Sequence, residues 1–361
     1  MPPAPGAPPS DAVAEDAAGC ARMFAEFARG ANPRAPLYAR LAAGIAGDES
    51  IAGLLLHAPP RQRQPVLFLA CVHSILLGPT GRHDALARWY PNLTARPSSG
   101  DPVPALRAFC VAHRAELEER LATRSTQTNE IGRCALLLPA FGMLAAEVGA
   151  LAHLDVGTSA GLNLLLDRYH YRYVPGGEVG GPSPVTLECE ARREVPVPTA
   201  MPEIVERRGL DRSPIDVHDP EQRRWLEACV WPDQTDRFER LRAALALATE
   251  SSVEITTGDA IADTPGLARG LGAHPVITNT WVLNYLSGAE RAAYLAALDE
   301  LGREGDISWV FAECPVLVPD LPVADRRSTQ TALVLVRWRA GRRTVDHLGD
   351  AHPHGYWLHW R

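Results

Sequence analysis

The chain has 361 residues, 46% hydrophobic and 22% charged, a balance that fits a globular protein with a sizeable core and excludes a polyelectrolyte or low-complexity chain. Its formal net charge of −7 gives no electrostatic reason to expect nucleic acid or an anionic membrane as partner. All 36 basic residues are arginine, so a lysine Schiff base, a Walker A lysine and a Ser–Lys dyad are excluded.

Residues 1–18 are rich in Pro and Ala, acidic, and lack the basic n-region and apolar core of a signal peptide, which predicts a disordered lead-in. Residues 19–150 read as an all-helical cap domain. Apolar residues recur at i, i+3 and i+4 over 21–28, 36–45, 64–77, 103–121 and 131–151, with Pro, Gly and Asn breakers between. The apolar stretch 134–151 contains Pro139, Gly142 and Glu147, which predicts a buried helix rather than a membrane span. Seven dispersed cysteines with no Cys-x-x-Cys pair predict reduced thiols and a cytoplasmic location. His352 and His354 lack a matching Cys or acid set, so no metal site is expected.

The first strand falls at 151–156, followed by a small-residue loop and a second apolar run that reads as a helix. Gly157 and Gly161 bracket Ser159 and Ala160, letting the backbone turn sharply and leaving room for a ligand. Residues 167–202 look like an insertion with a short hairpin at 185–190. A second strand ends near Asp211, helices follow at 222–229 and 237–248, and a third strand ends at Asp259. A fourth strand covers 275–283, a helix 287–301 and a fifth strand 307–314. The tail alternates as antiparallel strands do, at 331–338 and 355–360. Strands alternating with helices predict a doubly wound, Rossmann-like α/β domain over 151–361.

Read as acid-x-Gly-x-small-x-Gly, Asp155 to Gly161 resembles the first motif of class I S-adenosylmethionine-dependent methyltransferases. The resemblance covers about 151–314 and implies a site residue by residue. Asp155, Gly157, Ser159, Gly161 and Asn163 would lie along the methionine part of S-adenosylmethionine. Asp211 would hold the ribose hydroxyls, Asp259 and Ala260 would meet the adenine, and Asn279 to Tyr285 would face the acceptor. Ser159 departs from the family's usual middle glycine, and about 50 residues separate Gly161 from Asp211. Glu130, His170 and Tyr285 are the candidate proton acceptors. The whole chain is also similar to a bacterial family of unknown function, on Gln127-Thr-Asn-Glu-Ile-Gly-Arg133, the glycine loop, Trp231-Pro-Asp-Gln-Thr235 and His352-Pro-His-Gly-Tyr-Trp357.

The expectation is methyl transfer from S-adenosylmethionine to a small-molecule acceptor, without commitment to an oligomeric state. Three alternatives stand beside it: cyclisation of the cofactor's amino-acid portion with release of methylthioadenosine, a non-catalytic binding protein, and a serine hydrolase. In the last, Gly157-x-Ser-x-Gly161 is a nucleophile elbow, with Glu313 or Asp320 and then His354 in order. Against the hydrolase, its elbow follows several earlier strands, and none reads before 151. Asp211 and Asp259 could equally be caps of the helices that follow. Trp231 and Tyr169, Tyr171 and Tyr173 could form an aromatic wall at a sulfonium or be ordinary packing.

Overall fold

The computed structural model describes residues 14–31, 34–323 and 330–361. The first thirteen residues of the expected lead-in lie outside that set. The described chain divides into two compact units: residues up to 128 together with 218–242, and residues 129–217 together with 243–361.

The first unit is helical. It contains α1 (Ala17–Ala31), α2 (Pro36–Ala46), α3 (Glu49–Ala52), α4 (Pro65–Leu77), α5 (Val103–Ala112) and α6 (Arg114–Thr123). The periodic stretch 103–121 is two helices because His113, at φ −108° and ψ 21°, leaves helical geometry between them. Nearly every residue of α4 is buried, as a helix apolar on all sides requires. Trp231 packs on Phe27 and Tyr38 with ring centroids 5.6 and 5.9 Å away, and Asp233 accepts the Leu37 N–H at the start of α2. The 231–235 landmark is thus part of this unit's packing.

The second unit opens with α7 (Cys134–Val148), then β1 (Leu151–Val156), β2 (His170–Val174), β3 (Gly177–Val179), β4 (Thr186–Arg192) and β5 (Ile204–Asp211). After β5 the chain passes through α8 (Pro220–Ala228), which belongs to the first unit, and α9 (Thr235–Thr249), which begins in the first unit and ends in the second; the second unit then continues with β6 (Glu254–Thr257), α10 (Ala260–Arg269), β7 (His274–Thr280), α11 (Gly288–Glu304) and β8 (Ile307–Glu313). The chain closes with β9 (Thr331–Arg339), β10 (Arg342–Ala351) and β11 (Trp357–Trp360). The segment Ile131–Val148 is long and apolar enough to cross a membrane, but 67% of it is buried within the fold, as a core helix is.

The described strands form one mostly parallel, eleven-stranded sheet in the order β3-β2-β4-β11-β10-β9-β8-β7-β1-β5-β6. From β6 to β8 all neighbours are parallel, and β9, β10 and β11 continue antiparallel. Crossovers run from β1 to one side through β5 and β6, then back past β1 to β7. That reversal makes the carboxyl ends of β1 and β7 a topological switch point, the place where open α/β sheets bind ligands. On one face, Leu154, Ile277 and Phe311 join Tyr294, Leu298 and Leu301 of α11 in a buried cluster.

Two features differ from the sequence reading. The segment after the glycine loop is a kinked 3-10 helix, Leu162–Arg168, so the loop lacks the long α-helix dipole expected behind it. The 167–202 insertion contributes three strands to the sheet, where the sequence suggests only a short hairpin at 185–190. Its hairpin is β2 with β3, residues 186–192 form a single strand, and β4 pairs in parallel with β11 from the chain's end.

Candidate functional site

The loop between β1 and the 3-10 helix turns through left-handed backbone at Gly157 (φ 81°), Ser159 (φ 55°) and Gly161 (φ 73°). A Cβ at Gly157 would meet Val282 Cγ2 at 2.3 Å, so glycine is required there by both conformation and space. Ser159, a side-chain residue in left-handed backbone, is held by neighbours that outweigh the strain. Its N–H donates to Asp211 Oδ2 at 2.8 Å, and its carbonyl accepts from Ile215 N–H at 3.1 Å. Asn129 Oδ1 accepts the amides of both Ala160 and Leu162 at 3.2 Å, closing the loop from the other side.

Beneath the loop lies a buried polar cluster. Asp155 is 1% exposed; its Oδ1 accepts from Thr278 Oγ1 at 2.7 Å, while Oδ2 has no hydrogen-bond partner among the described residues. Burial pushes its carboxyl up to about 6, against the lowering effect of the Thr278 hydrogen bond and of Arg133. Glu313, the last residue of β8, is fully buried. Its Oε1 accepts from Val282 N–H at 2.6 Å and Leu283 N–H at 3.1 Å, and Oε2 has no partner among the described residues. Burial raises this carboxyl to about 7, with the Val282 and Leu283 amides and Arg133 opposing the rise. Arg133 therefore lies within electrostatic reach of both acids, and its Nη1 donates to Thr280 O at 2.8 Å.

Several predicted residues assemble here. Asp155, Gly157, Ser159 and Gly161 form the loop and its floor. Asn163 is buried below it, donating to Thr280 Oγ1 at 3.3 Å and accepting the Cys134 thiol at 3.4 Å. Asp211 ends β5 and splits its carboxylate between the amides of Ser159 and Ser213, so it orders the loop instead of capping α8, which Asp219 caps. Asp259 caps α10 through the amides of Ile261 and Ala262 and pairs with Arg212 at 2.6 Å; Ala260 is the helix's first residue. That ion pair and the cap amides hold the Asp259 carboxyl below its usual range, the Arg212 hydrogen bond contributing most.

Others are placed differently. Asn279 is fully buried, donating to Val156 O and accepting from Tyr294 and Trp309, so it braces the core at the β1–β7 junction. Tyr285 follows β7 and is 71% exposed. His170 sits on β2, where its ring meets Gly180 O at 3.3 Å and Glu178 at 3.4 Å, and the sheet order sets β2 far from β1. Tyr169, Tyr171 and Tyr173 are buried with hydroxyls on the carbonyls of Leu162, Leu166 and Ala135, which is packing chemistry. Glu130 lies beside His354, with Oε2 3.4 Å from Nδ1.

Sequence reasoning did not single out Arg133 or Thr278, and it weighed Glu313 only as a hydrolase acid. Arg133 ends the 127–133 landmark, which was the available signal. Glu313 contacts no histidine among the described residues, so the Ser159–Glu313–His354 triad is not formed.

A family model described as an uncharacterized protein conserved in bacteria (DUF2332) matches residues 21–360. Comparison with curated proteins gives no match, and neither does comparison with solved structures.

Proposed function

The chain belongs to this DUF2332 family of bacterial proteins, and within it we propose a transferase that binds S-adenosylmethionine at the β1–β7 switch point and methylates a small acceptor. The observation that carries the reading is the placement of the glycine loop. It follows the first strand of a parallel run ordered third-second-first-fourth-fifth, at the reversal point, with a carboxylate at the end of the second parallel strand bonded to it.

The residues fit such a ligand. A cofactor with an ammonium and a sulfonium suits a switch point beneath which two buried carboxylates each keep an oxygen unpartnered among the described residues. Each Asp211 oxygen uses one lone pair on a backbone amide and keeps another for a vicinal diol. The turn at Asp259 and Ala260 would meet the adenine. Asn129 holds two loop amides, so the loop is ordered before ligand arrives and little entropy is lost on binding. The bound cofactor supplies an electrophilic methyl group. The chain's own contribution is then to align the acceptor and exclude water, where positioning provides much of the rate.

A second reading, acyl transfer by Ser159, draws on one observation: its left-handed backbone is the strained geometry of a nucleophile elbow. Thermal unfolding with and without S-adenosylmethionine and S-adenosylhomocysteine separates the two. Ligand at about 100 times its dissociation constant adds about 2.7 kcal/mol, which moves the midpoint by about 5 °C or more for a chain of this size. No shift at millimolar ligand sinks the methyl-transfer reading, and labelling of Ser159 by a fluorophosphonate would then support the hydrolase.

A further inference from the structure

Two landmarks that the cofactor reading leaves unused, residues 127–133 and 352–357, are locked together. A Cβ on Gly355 would fall 1.9 Å from Gly132 O, and one on Gly132 would fall 2.3 Å from His354 O, so these backbones touch where only glycine fits. Arg133 Nε donates to Pro353 O at 2.9 Å and Nη1 to Thr280 O at 2.8 Å, which fastens both segments to the end of β7. Inside this junction, Glu130 Oε1 accepts the Gly132 N–H at 3.0 Å and Oε2 lies 3.4 Å from His354 Nδ1. The two side chains are only 4% and 13% exposed. The residue before Glu130 is Asn129, which holds the glycine loop. A buried imidazole–carboxylate pair is costly to maintain for packing alone, and here its acid follows directly on the residue that bonds the loop that would carry the cofactor.

We propose that His354 is the general base of this site and that Glu130, whose carboxylate lies 3.4 Å from Nδ1, is a positioning residue whose charge favours the imidazolium. The inference rests on the methyl-transfer reading. As the bond from acceptor to methyl carbon forms, the carbon–sulfur bond breaks and its electron pair stays on sulfur. The acceptor's own proton passes to His354 Nε2, and Glu130 stabilises the imidazolium. The acceptor class follows: a nucleophile that carries a proton, a hydroxyl or an N–H, because a carboxylate or thioether would leave the pair without work.

Diethylpyrocarbonate acylates only unprotonated imidazole. The carbethoxylation rate at His354 between pH 5 and 9, mapped by peptide mass spectrometry, therefore reads its protonation without any acceptor. Arg133, His352 (ring 5.5 Å away) and Cys134 also surround the pair, and all are kept in the comparison. Glu130→Gln preserves the bond to Gly132 and removes the charge, so the midpoint is expected to fall by about one unit. Glu130→Asp is expected to restore it, and S-adenosylhomocysteine to slow the wild-type reaction about tenfold. An unchanged midpoint in E130Q, or a native His354 that does not react, overturns the pair whether or not cofactor binds. Should E130Q fail to fold, the wild-type midpoint decides: above about 6.5 agrees, below it overturns. A thermal shift with S-adenosylhomocysteine but no protection of His354 overturns the base assignment alone. No thermal shift overturns the methyl-transfer reading and the base role with it.

Discussion

Glu313 is a buried acid with an oxygen unpartnered among the described residues, and its chemistry can be separated from its fold. Its carboxyl is raised from 4.5 to about 7, so the folded protein binds the proton more tightly than the unfolded chain. Its contribution to stability is then full below about pH 4.5 and is lost as pH rises through 7. Asp155, raised from 3.8 to about 6, acts in the same direction over a lower window. Glu313→Gln mimics the protonated acid. Urea unfolding should find it close to wild type at pH 5 and more stable at pH 8, on the order of 2 kcal/mol. A variant less stable at both pH values would mean that the ionised carboxylate is stabilising where it stands. A cationic ligand beside Glu313 favours the ionised form, so binding by wild type should strengthen as pH rises through 7 and binding by the variant should not.

At the scale of elements, the glycine loop and α11 illustrate two kinds of rule. Gly157→Ala forces a Cβ to within 2.3 Å of Val282 Cγ2 at φ 81°, which should cost about 2 to 4 kcal/mol and abolish the ligand shift. Ser287 begins α11 in a capping box with Glu290, and Ser287→Ala should cost about 1 kcal/mol while leaving the ligand shift intact. Equal loss of ligand response in both variants would make the loop's role one of general stability. The sequence made such local features legible. Strands β1, β5 and β7 and the loop followed from apolar runs ending at small or acidic residues. What it could not show is which distant groups meet: Asn129 with the Ala160 and Leu162 amides, Arg133 with Thr280, and Glu130 with His354 depend on long-range closure. The tyrosines at 169, 171 and 173 misled for the opposite reason, since alternation on a strand buries all three hydroxyls on backbone carbonyls.

For the second unit as a whole, the last strand in the chain is not at an edge. β11 lies between β10 and β4, and among the described strands it alone joins β2, β3 and β4 to the rest of the sheet by pairing. That join is four residues long, with three paired on each side, whereas β8 and β9 pair along seven. The easiest partial opening should therefore part the sheet at β11, releasing β2 to β4 while the parallel run that carries the glycine loop stays closed. Leu358, fully buried and paired with Ala191 and Ala351, is the place to test it. Leu358→Ala should cost about 2 kcal/mol or more. Native-state hydrogen exchange should then show protection in β2 and β4 falling about 30-fold or more, with β1 and β7 nearly unchanged. A uniform loss across all strands would mean that the sheet opens as one cooperative unit. A loss confined to β2–β4 would mean that residues 167–202 are attached to, and not built into, the part of the fold that forms the site.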